Sequence, residues 1–208
     1  MNDKKLTRRN ILKTRTQQDI VKAAVAIITR QGMPALTMDR VALEAGVAKG
    51  TLYIHFKNKK EIFDAAMGMI VEPLFANLAK AIDGDYTPLQ KLGNFSRTCI
   101  EFFDRNHDFF RVIFFDRNRI QEERKRYHNL YKKFVRRVAD IVDEGVREGV
   151  FQSLDSGKVA AIFMESNMAV VMQRLDRHDE GSIDDDVKLV LGVIMHGIAA
   201  KGAKRLNN

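Results

Sequence analysis

Apolar residues recur along this chain at three- and four-residue spacings, with no sustained alternation of two, so the pattern predicts helices throughout and no strands. A first helix is expected from Thr16, in a Thr-x-x-Asp arrangement with Asp19, with Ile20, Ala23, Ala24, Ile27 and Ile28 as its stripe and Gly32 and Pro34 as its end. Met38, Val41, Ala42 and Ala45 mark a short second helix, capped by Thr37 and ended by Gly46. A third runs from about Ala48 to Phe56, holding on through Val47, Leu52 and Phe56. A long fourth helix spans Lys59 to Ile82 with Ile62, Phe63, Ala66, Ile70, Leu74 and Leu78 inward, and Pro73 within it leaves the Met69 carbonyl without its partner and predicts a kink. Beyond Gly84 and Pro88, a stripe of Leu89, Leu92, Phe95, Ser96, Cys99, Phe102 and Phe103 is followed by a short aromatic helix over 109–115. A charged helix over about 120–148 carries Tyr127, Leu130, Tyr131, Phe134, Val138, Ile141, Val142 and Val146, and Gly149 stops it.

The last two helices, about 156–174 and 184–200, are apolar over more than one stripe, which predicts burial on two sides. Phe163, Val170, Val187, Val190, Leu191, Ile194 and Ile198 are the candidates for a four-helix interface between two copies of the chain.

The two short helices over 37–56, with a glycine turn and small Ala42 and Ala45 at their crossing, describe a helix-turn-helix. Its second helix is a weak one by propensity, because Gly50, Thr51, Tyr53, Ile54 and His55 are all poor formers. The expected outer face, Lys49, Thr51, Tyr53 and His55, is made of hydrogen-bond donors, and Gly50 leaves the backbone bare. Such a helix suits a major groove. Asn58 and Glu61 form a capping-box pattern, yet Lys59 and Lys60 occupy a first turn where the helix dipole disfavours cations, which suggests a phosphate there. One reading helix covers a half-site, so a homodimer on pseudo-palindromic double-stranded DNA is expected.

Charge sharpens this picture. Residues 1–60 hold 13 Lys and Arg against 4 Asp and Glu, whereas residues 61–208 hold 22 against 23, so the formal +8 of the chain belongs to the helix-turn-helix end. Residues 1–15 are expected to be a flexible basic arm, residues 16–60 a DNA-binding domain, and residues 61–208 a helical ligand-binding and dimerisation domain. The single cysteine excludes an internal disulfide, the start lacks the apolar core of a secretory signal, and no apolar run approaches a membrane span, so a cytoplasmic protein with no membrane partner is expected.

The run Ala45-Gly46-Val47-Ala48-Lys49-Gly50-Thr51-Leu52-Tyr53-Ile54-His55-Phe56-Lys57-Asn58-Lys59, with Leu36-Thr37 and Val41-Ala42 before it, resembles the signature of the TetR/AcrR family of bacterial transcriptional repressors. The resemblance covers roughly residues 16–64, and the rest matches only in helix content and length. It implies an all-α protein in which Lys49, Gly50 and Thr51 form the base-facing end while Thr37, Tyr53, His55 and Lys59 hold phosphates. It also implies a small-molecule inducer in the C-terminal domain.

Seven of the 13 phenylalanines lie in residues 95–115, and methionines stand on the neighbouring helices. Met67, Ile70, Cys99, Phe102, Phe103, Phe110, Phe114, Met164, Asn167 and Met168 are therefore the candidate lining of a cavity for an apolar or amphipathic effector, with ordinary core packing as the alternative. Glu101, Asp104, His107 and Asp108 have metal-ligand residue types but straddle a helix end, where such residues commonly cap. Neither a metal nor any other cofactor is expected, and no nucleophile-elbow, zinc-protease, dinucleotide or P-loop pattern occurs. Of the competing readings, the missing motifs weigh against an all-α metal-dependent enzyme, and the intact basic reading helix weighs against an interaction module that has lost DNA binding.

Overall fold

The computed structural model describes residues 2–115, 117–177 and 181–196, and every regular element within them is helical. The helices are α1 (Asn2–Gln31), α2 (Met38–Glu44), α3 (Lys49–His55), α4 (Lys59–Ile82), α5 (Pro88–Arg105), α6 (His107–Phe114), α7 (Arg117–Arg147), α8 (Ser156–Arg177) and α9 (Ile183–His196), with one 3-10 turn at Met33–Ala35. They form two compact units, residues 1–73 with 108–117 and residues 74–107 with 118–208.

In the first unit, α1 lies against α2 and the 3-10 turn, and α2 against α3. The expected inner stripe of α1 is in place, with Ile20, Ala24, Ile27 and Ile28 fully buried. Its start differs from expectation. Thr16 does not cap the helix but sits inside it, its hydroxyl donating to the Leu12 carbonyl at 3.0 Å, and the segment expected to be a flexible arm continues the helix back to Asn2. A Thr-x-x-Asp pattern caps only where the backbone before it leaves the helix, and nothing between Asn2 and Thr16 breaks one. Gly32, at φ 77°, turns the chain after α1.

In the second unit, α5 packs on α8 and α9, and these two pack on each other. Thr87 and Gln90 form a reciprocal capping box around Pro88, which fixes where α5 begins. A chain of aromatic rings runs through the core: Tyr127 to Phe75 at 6.0 Å, Phe75 to Phe134 at 5.5 Å, Phe134 to Phe95 at 6.2 Å and Phe95 to Phe163 at 5.6 Å between centroids. Gly149, at φ 71°, ends α7 as expected, and the Phe151 ring lies so close over Gly145 that an added Cβ would sit 2.2 Å from it.

The fourth helix runs unbroken through Pro73, and its residues 59–73 fall in the first unit. The expectation that no apolar run approaches a membrane span is corrected by this helix, which is long and apolar enough by length and composition alone. Its apolar side chains have another use: Ile62, Phe63, Ala66, Met67, Val71, Leu74 and Leu78 are buried within the protein.

Candidate nucleic-acid interface

Thr37 stands at the start of α2 in extended conformation and its hydroxyl accepts from the Arg40 amide at 3.3 Å. Val41 and Ala42 fix α2 to the core, Gly46 turns the chain at φ 65°, and the Val47 amide donates to the Ala42 carbonyl at 3.0 Å. This delivers α3 with no side-chain cap at its N-cap residue, Ala48. Packing rather than propensity holds α3. Fully burying Leu52 contributes ~1.5–3 kcal/mol, more than the ~1 kcal/mol that Gly50 costs in a helix.

Gly50 has no intramolecular reason to be glycine. Its φ is not positive, and an added Cβ would meet nothing within 4 Å. The room it leaves faces solvent, on the side of α3 where Lys49, Tyr53 and Ile54 are exposed. The expected outer face is corrected here. Thr51 and His55 are half-buried, while Ile54, which the sequence reading left out, is 73% exposed one turn after Gly50. The alternation drawn at 49, 51, 53 and 55 has the period of a strand; within α3 the exposed positions are 49, 50, 53 and 54.

The cations differ in their commitments. Lys49 is paired with Asp39 at 2.6 Å, and first the hydrogen bond and then the charge of Asp39 raise its pKa above the usual lysine value. Lys60 pairs with Asp64 at 2.9 Å. Lys59, beside it in the first turn of α4, has no ion-pair partner among the described residues. The Glu61 amide donates to Asn58 Oδ1 at 3.0 Å as expected, but Glu61 reaches back to the amide of Lys57 at 2.8 Å, one residue earlier than a capping box requires. Lys59 thus stands at a helix N-terminus without an ion-pair partner among the described residues, an arrangement suited to a phosphate oxygen.

Residues 20–66 match the model of the bacterial regulatory proteins of the tetR family, and residues 85–172 match the tetracyclin repressor-like C-terminal domain. The chain belongs to the TetR family. It is a DNA-binding transcriptional regulator, and the motif described above is the family's DNA-binding element. Among its relatives is the HTH-type transcriptional repressor KstR2 of Mycobacterium tuberculosis strain H37Rv, 26% identical over 136 residues that cover 64% of this chain and 68% of that protein. The fold is shared with the fatty acid degradation regulator FadR of Bacillus halodurans (TM-score 0.73, 19% identity, 88% of this chain and 96% of that one). It is also shared with FadR of Bacillus subtilis, solved in complex with stearoyl-CoA (TM-score 0.72, 20% identity, 88% and 99%).

The candidate effector residues divide between the units. Met67, Ile70, Phe110 and Phe114 lie in the first, where Phe110 and Phe114 stack at 5.6 Å. Cys99, Phe102, Phe103, Met164, Asn167 and Met168 lie in the second, where Phe102 and Phe103 meet edge to face at 5.5 Å. Asn167 is buried; its amide donates to the Phe163 carbonyl at 2.8 Å, while its Oδ1 finds no donor. The Ser96 hydroxyl is buried too and, like Asn167 Oδ1, has no hydrogen-bond partner among the described residues. Each such atom costs ~1–3 kcal/mol, which a polar group entering the helical core would relieve. Burial pushes the Cys99 thiol up to about 12. Its thiolate is then about a thousandfold rarer at neutral pH than that of an ordinary cysteine. Iodoacetamide is expected to leave the folded protein unlabelled over a period that fully labels it in denaturant; equal rates would show Cys99 to be accessible.

Three of the interface candidates are corrected. Phe163, Val187 and Val190 are buried inside the protomer, and Phe163 faces Phe95. Val170, Leu191 and Ile194 are half-buried, and Ile198 lies outside the described residues. The apolar side chains that α8 and α9 leave in solvent are Ile162, Leu189 and Val193. Sequence reasoning missed them because a helix apolar on several stripes does not declare which stripe its own core takes. The metal-type residues are otherwise engaged: Glu101 pairs with Arg105 at 2.6 Å and Asp104 with Arg174 at 3.0 Å.

Proposed function

We propose that this regulator is a homodimeric, non-enzymatic repressor that holds a pseudo-palindromic operator through two copies of α3 and leaves it when an amphipathic acyl compound binds its C-terminal domain. The observation that carries the reading is the face of α3, where Gly50 keeps a clear approach for a base edge between Lys49 and Ile54. Residues 16–60 are its DNA-binding domain and residues 61–208 its effector and dimerisation domain, in a protein of the cytoplasm. Repression is supported by the kinship with KstR2, and an acyl thioester as effector by the FadR complex with stearoyl-CoA together with the aromatic interior. Dimerisation rests on the exposed stripe of Ile162, Leu189 and Val193, beside which Ala169 and Gly192 allow close approach. The fourth helix couples the two events, because it begins at Lys59 and continues into the effector domain. A ligand that prefers a different setting of this helix weakens DNA binding by an equal and reciprocal factor.

Titrating DNA at several salt concentrations tests the assignment. Lys59→Ala is expected to weaken all sequences alike and to flatten the salt slope by ~1, as loss of one phosphate contact does. Lys60→Ala, whose ammonium is already held by Asp64, is expected to change the slope less. Lys49→Ala is expected to change which sequences are preferred. Wild-type slopes and preferences in all three variants would refute this interface.

A further inference from the structure

The second unit carries a groove of about 350 Å³ between the end of α4 and the second half of α5, lined by Asn77, Lys80, Thr98, Glu101, Phe102 and Arg105. Its chemistry is two-sided. Lys80 stands at the solvent edge with no ion-pair partner among the described residues. Arg105 is exposed, and its carboxylate partner among the described residues, Glu101, also lies within reach of Arg97 at 4.0 Å. Among the described residues lining the groove the one carboxylate, Glu101, is therefore compensated along its own helix, and Lys80 is left as surplus positive charge. The Thr98 hydroxyl and the Asn77 amide add neutral donors. The inner wall is the half-buried ring of Phe102, which meets the buried Phe103 edge to face.

Surplus cation outside, neutral donors between and an aromatic wall inside match a ligand that is anionic at one end and apolar at the other. The size suits a nucleotide-sized group, since ligand sites begin at roughly 300 Å³. A carboxylate alone would use one charge and leave most of the groove empty. A phosphorylated nucleotide offers several oxygens to Lys80, Arg105, Thr98 and Asn77 at once.

We propose that this groove binds the phosphorylated nucleotide head of an acyl thioester, with Lys80 and Arg105 on the phosphates and Phe102 at the point where the apolar part begins. The proposal rests on the effector reading given above but is tested separately from it. The probes are adenosine 3′,5′-bisphosphate, inorganic pyrophosphate, stearoyl-CoA and stearate, titrated calorimetrically into the full-length protein. The variants are Lys80→Glu and, as a control cation outside the groove, Lys158→Glu. Lys80 is exposed in the last turn of α4, so its replacement leaves the core intact, and an unchanged thermal unfolding curve verifies this.

Adenosine bisphosphate is expected to bind the wild-type protein in a salt-dependent manner and more tightly than pyrophosphate does. Lys80→Glu is expected to weaken both the nucleotide and stearoyl-CoA about tenfold or more, leaving stearate and the Lys158→Glu control unchanged. Equal nucleotide binding by wild type and Lys80→Glu, absence of nucleotide binding to the wild type, or pyrophosphate binding as tightly as the nucleotide overturns the proposal. Stearoyl-CoA that releases operator DNA equally from wild type and Lys80→Glu removes this groove while sparing the effector reading. Stearoyl-CoA that leaves the wild-type operator complex intact removes that reading, and the nucleotide titration still judges the groove.

Discussion

Leu189→Glu combined with Val193→Glu is expected to convert the proposed dimer into monomers at micromolar concentration and to weaken binding to a two-half-site operator by roughly 100-fold or more. Both side chains lie on one face of α9, four residues apart, and both are exposed in the protomer, so the monomer loses no packing. In a dimer closed on this face, two carboxylates without partners would have to be desolvated on each side, at several kcal/mol per ion. About 3 kcal/mol already amounts to a factor of ~150 in association. Operator binding falls with it, because a monomer presents one reading helix and loses the effective concentration of the second. Sedimentation gives the assembly state and a titration of the operator gives the affinity. Val190→Glu supplies the contrast. That residue is buried inside the protomer, so its charge is expected to unfold the chain instead of dissociating it. A double variant that still sediments as a dimer would place the interface elsewhere.

The helix-turn-helix was legible because its determinants are local. Thr37 caps, Gly46 turns at positive φ, and Val41, Ala42, Leu52 and Phe56 are buried where the periodicity put them. The glycine at 50 was legible as an oddity, and the geometry sharpened it: nothing in the chain fills the space a Cβ would take. What failed was facing. Residue type does not fix facing on a helix: the donors Thr51 and His55 are half-buried, while the apolar Ile54 is exposed. Phe163 was misread for a related reason. Its stripe is apolar on both candidate sides, and only the ring of Phe95 decides which side is core. The groove at Lys80 left no signal in the sequence, since its residues come from two helices whose crossing no local pattern fixes. Arg174 was likewise silent, a charge on an apolar helix whose partners stand 70 and 12 residues away.

Arg174→Met is expected to lower the stability of the folded chain by ~2–3 kcal/mol. The guanidinium is buried on α8, bonded to Asp104 of α5 at 3.0 Å, to Asp186 of α9 at 2.7 Å and to the Gly181 carbonyl at 3.1 Å, so it joins three helices and the connection between two of them. Burial alone would lower its pKa. The hydrogen bonds to the two aspartates more than offset that and raise it above the usual arginine value. Removing one member of a buried ion pair typically costs ~3–5 kcal/mol because the other charge is left uncompensated. Here Asp104 and Asp186 retain 37% and 23% of their side-chain exposure and can rehydrate, which brings the figure down. The same reasoning predicts the sign of a second change. Replacing both aspartates by Leu in the Arg174→Met background removes the stranded charges and is expected to recover part of the loss. Additive losses in the denaturation curves of Arg174→Met, of Asp104→Leu with Asp186→Leu, and of all three changes together would mean that the residues act independently. With coupling present, the loss is also expected to appear in assembly, because α8 and α9 carry the exposed apolar face and Arg174 sets their mutual position. Sedimentation of Arg174→Met is therefore expected to show weaker dimers well below its unfolding temperature.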